Sequence, residues 1–153
     1  MIRQFAILTI FALLSANAAC AGGMVQYLRQ VDGKNRATQG DMVMVIGMFL
    51  GQKDSNYSQT TEFLKERGVI DDKYPIAPTQ ELKRGVAAYH FARALGWKGG
   101  WLARVVGFDR RIAYKEMVSK GYMRPYGAHS PMTGSDLLGV MRILTSNRRR
   151  GQL

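Results

Sequence analysis

The chain has 153 residues, with 22 Lys and Arg against 11 Asp and Glu for a net charge of +11, and 46% of it is apolar. That apolar share excludes a disordered chain, and the length allows one or at most two small domains. A single Cys excludes a disulfide scaffold and a Cys-rich zinc site, while the charge excess points to a polyanionic partner without specifying a fold.

Residues 1–21 read as a signal peptide. Arg3 supplies a short cationic start, Phe5 to Leu14 is an unbroken apolar run, and small residues follow in Ser15 to Gly23. Ten residues reach about 15 Å as a helix, half of a bilayer core of about 30 Å, so no transmembrane span is expected. Ala16-Asn17-Ala18 and Ala19-Cys20-Ala21 both fit ordinary signal peptidase. Ala18-Ala19-Cys20 also fits the end of a bacterial lipobox, which would make Cys20 a lipidated first residue, although Asn17 stands where Leu is usual. Both readings stay open. Arg3 is the only charged residue that cleavage removes, leaving +10. Export shifts the expected partner from cytosolic nucleic acid to an anionic envelope component: a cell-wall polymer, lipopolysaccharide or anionic lipid.

After the signal, residues 24–146 form one expected domain. Three segments align without gaps: Thr38-Gln39-Gly40-Asp41 running to Gly51, Lys83-Arg84-Gly85 to Gly96, and Thr133-Gly134-Ser135-Asp136 to Ser146. They start 45 and 50 residues apart. Thr followed three residues later by Asp, ahead of an apolar run, is a helix N-terminus: the hydroxyl accepts from an orphan N–H and the carboxylate meets the helix dipole. Thr38/Asp41 and Thr133/Asp136 fit this pattern. Met42–Leu50 alone fits a buried strand as well as a helix, and its alignment with the other two segments decides for a buried helix. In the second segment Ala87, Ala88, Phe91, Ala94 and Leu95 make the buried stripe, with Arg84 and Arg93 left for the outside. In the third, Leu137, Val140, Met141 and Leu144 make it.

A second element recurs ahead of the later two segments. Glu62–Ile70 and Lys115–Met123 each read as a short amphipathic helix stopped by Gly68 or Gly121, with an apolar pair that packs back. Pro75, Pro78, Pro125 and Pro131 fall in the loops that follow. Val25–Val31 is read as the remnant of a shortened first copy. The expected fold is therefore all-α, an array of two to three degenerate helix–loop–helix repeats of ~50 residues. Residues 147–153 complete it as a basic tail.

The stretch Leu82-Lys83-Arg84-Gly85-Val86-Ala87-Ala88-Tyr89-His90-Phe91-Ala92-Arg93-Ala94-Leu95 resembles the second helix of the S-layer homology domain, with its Thr-Arg-x-Glu opening and Ala-Arg-x-Leu end. Counting all copies, the resemblance covers about residues 58–146. It implies three helical repeats gripping acidic, often pyruvylated, cell-wall polysaccharide. No copy here has both the Arg and the Glu of the opening, and the aromatic-Asp-Val and Trp-Ala elements of a typical copy are missing. Only Arg84 stands where the ligand-contacting Arg would be.

The inventory of reactive residues favours a noncatalytic protein without cofactor or metal. His90 sits between Tyr89 and Phe91 and reads as a packing residue; His129 lies in a loop with no nearby carboxylate to orient it. Asp71-Asp72 reads as a turn, and the Met residues as gap-fillers in the core. No HExxH, GxSxG, P-loop or CxxC motif occurs. Trp97 and Trp101 flank a Gly-rich turn and read either as an aromatic edge for a sugar ring or lipid interface, or as core spacers. The residues expected to contact an anionic ligand are Arg84, Arg93, Trp97, Trp101, Arg110, Arg111, Arg148, Arg149 and Arg150. The alternative to adhesion is a structural subunit that docks on other envelope proteins through apolar helix faces. The expected location is the periplasm, the outer membrane as a lipoprotein, or the cell surface; oligomeric state is not legible.

Overall fold

A computed structural model describes residues 23–52, 56–97 and 107–151. The chain divides into two compact units, Met1–Gln30 and Val31–Leu153. The signal-peptide reading of residues 1–21, with Cys20, lies outside the described residues. Of the first unit, residues 23–30 are helical; they belong to helix α1 (residues 23–32), whose last two residues enter the second unit.

The second unit is built from α2 (Gln39–Phe49), α3 (Tyr57–Glu66), α4 (Arg84–Ala94), α5 (Arg110–Ser119) and α6 (Gly134–Arg149). The protein is mostly helical; its described residues contain two isolated antiparallel bridges, Thr38 with Glu81 and Lys83 with Pro131, and no β-strand. None of the described helices is long and apolar enough to cross a membrane.

Local chemistry sets the helix ends. Thr38 and Asp41 form a reciprocal capping box on α2, and Thr133 accepts from the Asp136 amide on α6, as the two Thr/Asp pairs predict. Lys83 makes no side-chain cap on α4. The two short helices begin earlier than the sequence reading placed them, because Asn56 with Gln59 caps α3 and Asp109 caps α5. At their other ends Gly68 (φ 65°) and Gly121 (φ 74°) turn left-handed, where a Cβ is penalised. Val69–Ile70 and Tyr122–Met123 then fold back as buried pairs, donating to the carbonyls of Leu64 and Met117. Helix α6 runs three residues past its expected end, since nothing breaks it before Gly151 (φ 67°). Asn147, Arg148 and Arg149, read as the start of a tail, are its last turn.

Helices α2 and α4 are central. Met42, Val43, Val45, Ile46 and Phe49 are buried on α2, which settles the ambiguity of that run in favour of a helix. On α4 every residue from Arg84 to Ala92 is buried, so its environment is closed on all sides. Helix α2 packs on α3 and α6, and α4 packs on α5.

The three segments meet through backbone hydrogen bonds. Ala37 N–H donates to Met132 O (2.8 Å), Met132 N–H to Leu82 O (2.9 Å) and Leu82 N–H to Ala37 O (2.8 Å). This closed ring joins three fully buried residues spaced 45 and 50 apart, the intervals of the aligned segments. Around it, orphan N–H groups at the starts of α2, α4 and α6 point at carbonyls of a neighbouring segment. Gln39 and Gly40 donate to Gln80 and Pro78, Arg84 and Gly85 to Ser130 and Ala128, and Gly134 to Lys34, all at 2.8–3.0 Å. The backbones come so close that a Cβ on Gly40 would lie 2.9 Å from Pro78 O, and one on Gly85 3.0 Å from Ala128 O.

Candidate functional site

Along one side of α6 runs an open cleft of about 560 Å³, within the range of small-molecule sites. Its floor is the α6 face on which Ser135, Gly139, Arg142, Ile143, Ser146 and Arg150 recur at helical spacing. Arg84, from the start of α4, and Arg124, from the loop after α5, close the other wall. Among the described residues, four arginines thus face one carboxylate, that of Asp136.

Arg84 and Asp136 hold each other. Arg84 Nη2 donates to Asp136 Oδ2 at 2.5 Å, and its guanidinium lies 4.7 Å from the centre of the Tyr126 ring. Burial pushes the Asp136 carboxyl up, but hydrogen bonds from Arg84 and Thr133 and the charges of Arg84 and Arg124 outweigh it and hold the carboxyl below its usual range. The expectation that Arg84 points outward is corrected: the residue is 4% exposed, and its Nε is buried without a hydrogen-bond partner among the described residues. It sits at the first turn of α4, where the 128–130 loop presses on the helix, and the Asp136 charge together with the Tyr126 ring offsets the burial of the guanidinium.

The remaining predicted residues do not converge. Arg93 is a structural clamp, donating from Nε to Gly68 O (2.6 Å) and from Nη1 to Asp71 Oδ2 (2.7 Å) and the Tyr89 hydroxyl (3.0 Å). Burial raises the Asp71 carboxyl, and the Tyr89 hydrogen bond, the Arg93 charge and the Tyr74 amide together bring it below the usual range. Arg110 lies 3.9 Å from the centre of the Tyr74 ring, with Nε buried and unpartnered among the described residues. Arg111 is exposed on α5, away from the cleft lining. Arg148 leans on Phe49, donating to its carbonyl at 3.4 Å, and Arg149 is exposed at the end of α6. Trp97 is half-buried with its ring 5.8 Å from that of Tyr122 and Lys120 Nζ 5.1 Å from its centre. Trp101 lies outside the described residues.

Of the predicted set, the cleft therefore gathers Arg84 and Arg150. It adds Arg124, Arg142, Ser135 and Asp136, which the sequence reading did not select. For Ser135 and Arg142 the available signal is the spacing of residues 135, 139, 142 and 146 on one polar face of the expected helix; Arg124 carries none.

The histidines offer no reactive pair. His90 is fully buried, with Nδ1 2.9 Å from Val69 O, and burial pushes its pKa down to about 4, so the ring is neutral at pH 7. His129 is exposed in the loop before α6. Among the described residues, no group of three or more His, Cys, Asp and Glu side chains could hold a metal ion. No protein-family model, curated protein or solved structure matches the chain.

Proposed function

We propose that the chain is a noncatalytic, exported envelope protein, a binding or scaffold module that adheres to an anionic cell-envelope component through the cleft along α6. The observation that carries this reading is the excess of three positive charges in one concave site, Arg84, Arg124, Arg142 and Arg150 against Asp136. The apolar, Arg3-led N-terminus supports export. The ring through Ala37, Leu82 and Met132, with its 45- and 50-residue intervals, supports three degenerate repeats like those of the S-layer homology domain. Docking of a subunit through apolar faces draws less support. Among the described residues, the large apolar side chains left exposed are Val25, Tyr126 and Ile143, few for a docking face.

Cosedimentation of the mature protein with vesicles and with isolated cell envelopes tests the proposal. Binding to phosphatidylglycerol vesicles and envelopes at about 0.05 M salt should collapse by about 0.5 M, with little binding to neutral phosphatidylcholine. Equal binding to neutral vesicles, or binding indifferent to salt, would refute it and favour the apolar docking reading. Intact mass of protein from the membrane fraction reports the cleavage site and any lipid on Cys20.

A further inference from the structure

We infer that the cleft along α6 takes a phosphate monoester borne by a sugar or a lipid headgroup, in preference to a single carboxylate. The inference rests on the adhesion reading above and specifies its ligand chemistry. Asp136 neutralises Arg84 within the protein, so Arg84 shapes the wall and contributes little net charge. Arg124, Arg142 and Arg150 are exposed, and none of their side chains makes an ion pair or hydrogen bond among the described residues.

Three unpaired guanidinium groups on one concave surface set the demand. A carboxylate brings one negative charge and two acceptor oxygens, and would leave two of the three arginines uncompensated. A phosphate monoester brings a charge of about −1.5 to −2 at neutral pH and three strong acceptor oxygens, one for each donor fork. Among the described residues Asp136 is the sole carboxylate lining the cleft, and it is already paired, so none of them repels a dianion strongly or recruits a metal to bridge it.

The rest of the lining suits what an ester carries. Ser135, Ser146 and Asn147 offer polar side chains to hydroxyl groups. At the rim the Tyr126 ring is 57% exposed beside Arg84, and Ile143 is 39% exposed, giving apolar contact to a sugar face or a glycerol backbone.

Calorimetric titration of the whole mature chain with glucose 1-phosphate and with glucuronate separates the two charge types. Glucose 1-phosphate should bind about tenfold tighter, the gain expected from a second charge-assisted contact. Arg124→Ala and Arg142→Ala should each weaken it about fivefold, while Lys65→Ala, an exposed charge on α3, leaves it unchanged. Both arginines are exposed and unbonded, so the variants should melt like the parent. Vesicles of phosphatidic acid distinguish the source: binding that Arg142→Ala weakens, exceeding that to phosphatidylglycerol, assigns a lipid headgroup, and binding of glucose 1-phosphate alone assigns a sugar. Glucuronate binding as tightly as glucose 1-phosphate would overturn the inference. So would insensitivity of phosphate binding to both arginine substitutions, or failure to bind either phosphate monoester. If those results coincide with salt-sensitive adhesion to phosphatidylglycerol, the phosphate assignment alone falls; absence of adhesion to every anionic surface removes both readings.

Discussion

Gly134 opens α6 at the point where Val31, in the last turn of α1, presses on it, and a side chain there has no room. A Cβ there would overlap Val31 O and sit 2.6 Å from the Val31 carbonyl carbon. Both atoms are backbone, so no side chain can rotate away. For Gly134→Ala to fit, the start of α6 must withdraw from residues 31–34. That breaks the Gly134 N–H bond to Lys34 O (2.9 Å) and strains the neighbouring Met132–Ala37 bond of the central ring. A lost buried hydrogen bond costs about 1–2 kcal/mol and enforced overpacking about 1–3 kcal/mol. The helix-propensity gain of alanine returns about 1 kcal/mol, so the net loss is about 1–4 kcal/mol. Gly139→Ala is the internal control: it lies in the same helix with nothing within 4 Å of its Cβ, and should stabilise by about 0.5–1 kcal/mol. Gly40→Ala and Gly85→Ala, whose Cβ positions lie 2.9 and 3.0 Å from loop carbonyls, should fall between the two. Urea unfolding followed by far-UV circular dichroism measures all four, and Gly134→Ala should lower the melting temperature by roughly 10 °C. Equal stability of Gly134→Ala and Gly139→Ala would refute the close approach, and with it the role of the ring in locking the three segments together.

Two further predictions concern the buried polar groups. Asp136→Asn removes the charge opposite Arg84 and should cost about 2–3 kcal/mol, while the double variant Arg84→Met/Asp136→Leu recovers most of that. A double-mutant cycle by chemical unfolding measures the coupling, and full additivity would show that the pair does not interact. Because the pKa of His90 is lowered to about 4 from 6.5, the unfolded chain binds a proton there that the native protein does not. Stability should therefore fall as pH drops from 6.5 to 4, by about 3 kcal/mol, and His90→Gln should flatten that slope. The native-state lowering of Asp41, Asp71 and Asp136 has its own signature: their contribution is present above about pH 4 and is lost as pH falls through their native values. Unfolding free energy measured from pH 7 to 3 checks both, and an unchanged slope in His90→Gln would contradict the assignment.

Much of the helical framework was written locally. The capping pairs Thr38/Asp41 and Thr133/Asp136, the glycine stops at 68 and 121 and the apolar stripe of α6 act within one or two turns of backbone. Sterics and orphan N–H groups there give the same answer whatever the rest of the chain does. The two short helices start at Asn56 and Asp109, caps that stand 53 residues apart, the same interval as Gly68 and Gly121, but six residues ahead of the apolar stretches Glu62–Ile70 and Lys115–Met123 that mark these elements in sequence.

What tertiary structure alone decided is where the charges face. Arg84 reads in sequence as the polar edge of an amphipathic helix, yet the 128–130 loop closes over it and Asp136, 52 residues away, receives its charge. Arg93 reads as a surface cation and instead ties Asp71 to Tyr89. Arg124 carries no motif, and it enters the cleft because the loop after α5 lies against α6. Local pattern fixes which residues share a helix face, since that follows from 3.6 residues per turn. Which face is covered, and which cations end up together, depends on chain closure across about 50 residues, and the ring through Ala37, Leu82 and Met132 supplies that closure here.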